Sequence, residues 1–295
     1  MSPRSNLQGA LHLYAVLTTI ATFVLLIAGS LVTSTDSGLA VPDWPLSYGT
    51  WFPPMVGGIR FEHGHRMIAA AVGLMILILA AWLWKTERRR WVRMLGYSAL
   101  GGVMIQGLLG GLTVLWMLPP QVSIAHACLG QTVFCLVVSL AWCTSARTAT
   151  NERQQSAIIP PAVLTGSLVI VGMAFLQLLL GAIIRHTGYA VSPHIAGAVL
   201  LVLSTGWLVA RTRSLRETEP VLSANARRLL GLLCVQVILG LVVLGHRGAV
   251  TSRTAHVVMG ALVLAQAVVV VWEAARSCHV STSRVGPRIA VGVHG

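Results

Sequence analysis

Charge is what this sequence lacks. Only 10% of its 295 residues are charged and just eight are acids. A soluble globular domain carries about 25% charged residues, so that class is excluded. Cysteine is sparse and shows no ligand spacing: Cys128, Cys135, Cys143, Cys234 and Cys278 form neither C-x-x-C nor C-x-x-C-H. Neither a zinc ribbon nor covalent c-type haem attachment is therefore signalled. No A-x-A cleavage site follows the first apolar run, Leu11 to Val32, which is also longer than the h-region of about 7–15 residues in a signal peptide. It is read as a retained helix.

Apolar residues fill the space that charge leaves. They make up 55% of the chain, and the mean hydropathy is +0.78. They gather in eight stretches near 11–33, 65–84, 94–116, 123–144, 157–184, 193–210, 229–246 and 254–273. Each approximates the roughly 20 residues that cross a hydrocarbon core. Lipid offers backbone groups no water, so such stretches form helices. The sequence predicts an all-α membrane protein with eight transmembrane helices.

The net charge of +13 would invite nucleic acid in a soluble protein, but its placement argues for anchoring. With a cytoplasmic N-terminus, one side holds Arg4, Lys85, Arg88, Arg89, Arg90, Arg93, Arg147, Arg153, Arg211, Arg213, Arg216, Arg227, Arg228, Arg276, Arg284 and Arg288. The other holds Arg60, Arg66, Arg185, Arg247 and Arg253. That asymmetry, 16 against 5, puts both termini in the cytoplasm by the positive-inside rule. The expected location is the plasma membrane, with lipid as the surrounding partner and no nucleic acid.

The chain repeats itself. Gln106-Gly-Leu-Leu-Gly110 and Gln236-Val-Ile-Leu-Gly240 each begin 20 residues before a histidine, His126 and His256, and Gln177-Leu-Leu-Leu-Gly181 carries the same phrase. His65 and His194 are 129 apart, His126 and His256 130 apart. A constant offset indicates a duplicated four-helix unit, and an even helix number gives both copies the same orientation. The fold expected is two tandem, parallel four-helix bundles: residues 1–150, then 151–275, with 276–295 as a disordered tail. The boundary falls in the polar segment 145–156, and loop 211–228 is basic. One long outer loop, 34–62, is rich in Gly, Pro and Trp and has no counterpart in the second half, where about eight residues suffice. Outer loops of that length usually serve function.

Four histidines, His65, His126, His194 and His256, occupy matching places in the first turn of the even-numbered helices. Ser123, Ser192-Pro193 and Thr254 before three of them suit helix starts. Each half thus offers two imidazoles from two helices and no third ligand of the kind zinc requires. Two imidazoles facing across a bundle suit the axial positions of a haem iron. The glycines at 107, 110, 111, 181 and 240 would let a flat macrocycle approach the backbone; close helix packing is their other reading. Arg66, Arg185, Arg247 and Arg253 stand at the same level, where paired hydrogen bonds could hold haem propionates or headgroups could solvate them. His63, His186 and His246 border this region without being read as ligands. Acids on the outer side, Asp36, Asp43 and Glu62, all belong to the first half. Glu62 lies one turn before His65, whereas Val191 holds the equivalent place before His194. The halves therefore have different jobs, and Glu62 is a candidate general base or charge stabiliser.

At these residues the sequence resembles the haem A synthase family. The resemblance is carried by Gly29-Ser-Leu-Val-Thr-Ser-Thr-Asp-Ser-Gly38, Val41-Pro-Asp-Trp-Pro-Leu-Ser47, Glu62-His-Gly-His-Arg66, Gln106-Gly-Leu-Leu-Gly110, His126 and Arg185-His-Thr-Gly188. It implies oxidation of the ring methyl of haem O to the formyl group of haem A by successive hydroxylation, for cytochrome oxidase assembly. It also implies a resident haem b on His194 and His256, and a substrate haem between His65 and His126 with Glu62 as the catalytic carboxylate. Arg66 and Arg185 are the cofactor-binding candidates beside them, and the haem O-producing enzyme is a candidate partner. Many members carry a cysteine pair where this chain has Val41 and Ser47, which removes any redox role for such a pair here. A non-catalytic di-haem electron carrier and a transporter are the competing classes. An electron acceptor or donor and a homo-oligomer are further candidate partners.

Overall fold

The computed structural model describes residues 3–145, 148, 159–246 and 249–282. Arg147, Arg153, Arg247, Arg284, Arg288, most of the 145–156 boundary and the end of the tail lie outside the described residues, as does the side chain of Cys278. The described residues form eight long helices: α1 (Pro3–Ser34), α2 (Ile59–Thr86), α3 (Arg90–Leu115), α4 (Pro120–Thr144), α5 (Pro161–Thr187), α6 (Val191–Arg213), α7 (Pro220–Gly245) and α8 (Val250–Thr282). Each contains a span long and apolar enough to cross a membrane. The chain is a multi-pass membrane protein.

The helices close into two rings of four. In the first, α1 packs on α2 and α4, and α3 on α2 and α4; in the second, α5 packs on α6 and α8, and α7 on α6 and α8. The rings meet through α4 against α8, α1 against α8 and α4 against α5. Exchanging each helix for its repeat-mate maps that set of contacts onto itself, as a parallel duplication requires. Each ring has its own apolar core. Val72, Leu79, Val137 and Leu140 fill the first; Ile170, Leu208, Leu229 and Val263 fill the second. Helices in lipid gain no hydrophobic drive toward one another, so close packing of small residues matters instead. Ala15, Ala99, Ala174, Ala226 and Ala261 are buried accordingly. At the end of the bundle that holds the α2–α3 connection, Trp91, Trp272 and Trp142 stack at 5.5 and 5.4 Å between centroids, and Trp142 Nε1 donates to Glu273, tying α4 to α8.

Several boundaries differ from the sequence reading. Helix α2 begins at Ile59 and α7 at Pro220, so loop 211–228 shrinks to residues 214–219, and Arg227 and Arg228 are helical. The connection between α5 and α6 is residues 188–190 only, turning through Gly188 (φ 78°) and Ala190 (φ 74°). Hydropathy marks where a helix enters hydrocarbon, whereas hydrogen bonding carries it on into the polar interface. For the same reason His65, His126 and His256 lie in the second helical turn, and only His194 in the first. Ser123, Ser192 and Thr254 are interior positions, and α4 is opened instead by Pro120 in its first turn. The tail reading fails in part, because α8 continues to Thr282.

Candidate functional site: two histidine pairs, one beside a long loop

The odd-numbered helices present a glycine to each of the four histidines. A Cβ added at Gly29 (α1) would lie 3.0 Å from His65 Cε1, and one at Gly110 (α3) 3.2 Å from His126 Cε1. In the second half the distances are 3.6 Å for Gly181 (α5) and His194, and 3.2 Å for Gly240 (α7) and His256. Each imidazole thus lies against a glycine, where an added Cβ would make ordinary contact at Gly181 and a tighter one than usual at Gly29, Gly110 and Gly240. Gly107, by contrast, has nothing within 4 Å, and Gly111 meets Trp44. Gly29 enters the sequence reading only through the family resemblance and not among the glycines expected to face a macrocycle, because its helix lacks the Gln-x-x-x-Gly phrase: Leu25 stands where the other helices have glutamine.

The sites are also where polar atoms go unpaired. Buried hydrogen-bonding groups ordinarily have partners. Among the described residues, the Nδ1 atoms of His65, His126, His194 and His256 are buried without one. So are Ser30 Oγ, Gln106 Oε1 and Ser123 Oγ around the first pair, and Gln177 Oε1, Gln236 Oε1, Arg253 Nε and Thr254 Oγ1 around the second. Only Gln131 and Arg276 add to that set from elsewhere. Gln106 Nε2 donates to the His126 carbonyl at 2.8 Å, and Gln236 Nε2 lies 3.3 Å from His256 Nε2. The His194 and His256 rings have centroids 6.4 Å apart and planes at 73°. Two imidazoles sharing one metal, at nitrogen–metal bonds of about 2.0–2.1 Å, stand roughly 6 Å apart between ring centres. No cluster of three or more His, Cys, Asp or Glu suited to a metal exists among the described residues. A donor set of paired imidazoles fits a macrocycle that brings its own nitrogens, and fits a closed zinc site poorly.

The long loop, residues 35–58, is fastened to the start of α2 beside the first pair. Glu62, buried in the first turn of α2, accepts from Val41 N–H through Oε2 at 2.8 Å and from Arg66 Nη2 through Oε1 at 2.6 Å. Arg66 Nη1 donates to the carbonyls of Asp43 and Leu46, both at 2.8 Å. Ser47 Oγ pairs with His63 Nδ1 at 2.8 Å, both groups buried. The Asp43 carboxylate accepts from Tyr48 and Gly49 N–H. The bond from Gly49 leads in holding the Asp43 carboxyl below its usual range, against some desolvation and with help from Arg66. Arg66, expected at a haem carboxylate, thus spends its terminal nitrogens on the loop. Val41 and Ser47 are fastened by these hydrogen bonds, not by a covalent link.

Arginines of the second half reach across to the first. Arg185 Nη2 donates to Thr33 O and to Asp36 Oδ1, the latter at 3.1 Å, and Arg253 Nη2 donates to Ser34 O at 2.7 Å. Both satisfy last-turn carbonyls of α1, where cations are favoured by the helix dipole. His246 ends α7, and Val191 opens α6.

Similarity to known proteins follows the same residues. The family model COX15-CtaA, described as cytochrome oxidase assembly protein, matches residues 59–193, a stretch that holds Glu62, His65, Arg66, His126 and Arg185 and stops one residue short of His194. The chain is 39% identical to the haem A synthase of Alkalihalophilus pseudofirmus over 104 residues, 34% of this chain and 35% of that protein. It is 28% identical to the haem A synthase of Lysinibacillus sphaericus over 177 residues, 59% of this chain and 57% of that protein. For that of Geobacillus kaustophilus the identity is 33% over 37% of this chain and 36% of the relative. The chain thus spans about a third to three-fifths of the length of these curated relatives. Residues 59–193 of the chain thus match the COX15-CtaA family model, and the relatives similar to it are haem A synthases.

Proposed function

We propose that this chain is a membrane-bound haem A synthase, which oxidises the ring methyl of haem O to the formyl group of haem A by successive hydroxylation. The observation that carries the reading is the pair of equivalent sites. In each, two imidazoles face glycines and leave buried ring nitrogens unpartnered, and the family match covers the first pair, His65 and His126. His194 and His256 would hold a resident haem b, which supplies one-electron redox chemistry when bound. His65 and His126 bracket the substrate haem. This division rests on the asymmetry between the halves: the first alone has the folded outer loop and a carboxylate, Glu62, one turn before its histidine. Glu62 is the proposed catalytic carboxylate, orienting or accepting a proton at Oε1 or Oε2. Arg185 is the proposed guide for propionates, and Arg66 holds the loop and Glu62 in place. The plasma membrane is the proposed location, the 16-to-5 charge count supports cytoplasmic termini, and the haem O-producing enzyme is the proposed supplier of substrate.

The test is the haem extracted from purified variants after co-expression with a haem O source. His194→Ala and His256→Ala should remove the resident haem b, since each deletes one of the two imidazoles that would hold it. His65→Ala and His126→Ala should spare it and abolish haem A. Equal loss of total haem from all four variants would refute the division of labour. The equivalence of the two pairs also fits a di-haem electron carrier, which would yield haem b alone and no haem A in the parent.

A further inference from the structure

Trp44 makes a contact that the second half cannot make. Its Cδ2, Cε2 and Cε3 atoms lie 2.7, 2.8 and 3.0 Å from where a Cβ at Gly111 would stand. The indole therefore lies directly on the α3 backbone, and only glycine at 111 permits it. Gly110, the preceding residue, is the one that faces His126. Under the 130-residue offset that matches Gln106 to Gln236, Gly110 to Gly240 and His126 to His256, the residue matching Gly111 is Leu241. The slot glycine is kept in both copies; the glycine that seats an indole is found in the first alone. The second half has no loop to supply a tryptophan, because three residues join α5 to α6.

We propose that Trp44 is a gating residue of the first-half tetrapyrrole site, closing its outer mouth by seating on Gly111. The proposal deepens the assignment of that half to the substrate and rests on it. A site that keeps its cofactor can be closed permanently by a short turn. A site that exchanges its macrocycle each turnover needs a cover that holds water out and still opens. The loop carrying Trp44 meets both needs. It is fastened on either side of the indole by Val41 N–H on Glu62, the Asp43 and Leu46 carbonyls on Arg66, and Ser47 on His63. All are hydrogen bonds that can break and re-form. Trp44 itself remains partly exposed, as a cover between site and solvent must be.

The experiment uses the full chain in lipid nanodiscs, with ferric protoporphyrin IX as the probe and excess apomyoglobin as acceptor, and follows haem release by absorbance. The component that depends on His65 and His126 is compared with the one that depends on His194 and His256. Trp44→Ala should speed release of the first by about tenfold, the scale of one lost aromatic contact, and leave the second unchanged. Gly111→Ala should do the same by displacing the indole, while Trp44→Phe should stay closer to the parent. Leu241→Ala, at the matching place in the other half, should change neither rate. Unaltered release in both Trp44→Ala and Gly111→Ala overturns the gate, and so does equal acceleration of both components. Absence in the parent of any component that depends on His65 and His126 overturns the site assignment beneath it, a result distinct from either.

Discussion

Replacing Glu62 by glutamine separates a carboxylate that acts on substrate from one that holds the loop. Both oxygens accept from donors: Arg66 Nη2 at 2.6 Å and Val41 N–H at 2.8 Å. A carboxamide has one acceptor and one donor, so whichever way it turns, its NH2 faces another donor. Hydrogen bonds to charged groups contribute about 1.5–3 kcal/mol. Losing one and leaving a donor unpaired should destabilise the closed loop by about 2–3 kcal/mol, on the order of 10²-fold in its opening equilibrium. The assay is amide hydrogen exchange of residues 40–50 in nanodiscs. Ser47 N–H bonds Thr50 O at 3.0 Å and reports on the loop without touching residue 62. Exchange there should quicken by that factor. Unchanged protection would refute the clasp. Loss of haem A with the loop still protected would place the carboxylate in the chemistry itself.

Other outcomes follow from the same geometry. Gly240→Leu fills the slot occupied by the His256 ring and should abolish bound haem b, read by haemochrome stoichiometry. Gly231→Leu, where nothing lies within 4 Å, should leave it intact. Asp43 carries a lowered pKa, so its contribution to loop stability is fully present above the ordinary value of 3.8 and is lost as pH falls through its own, lower value. Exchange protection at Gly49 should therefore hold from neutral pH down to about 4 and fail only below that, and protection lost between pH 5 and 7 would contradict the assignment. Cysteines placed at Glu217 and Phe52 should react with impermeant reagents from opposite faces of the membrane, with Glu217 cytoplasmic; the reverse would overturn the orientation.

The sequence alone determined the eight spans, their pairing by duplication and the four histidines. Each rests on a regularity that survives without coordinates: hydrocarbon thickness sets the run length, and a constant offset exposes a repeat. It also singled out Glu62 against Val191, because duplicated halves make a difference visible. Helix ends were out of reach, since hydropathy stops at the hydrocarbon edge while α2 runs on to Ile59 and α7 back to Pro220. Only the tertiary structure decided which glycines face histidines, because Gly29 and Gly107 differ by the direction of a helix face, and lipid-exposed and core glycines read alike in sequence. It alone directed Arg66 into the loop and Arg185 and Arg253 onto the end of α1. An arginine's partner is set by whatever acceptor lies within reach of a long side chain, and here most of those acceptors, apart from the Glu62 and Asp36 carboxylates, are backbone carbonyls. They carry no signature in the sequence and come together only when residues some twenty to two hundred apart fold side by side.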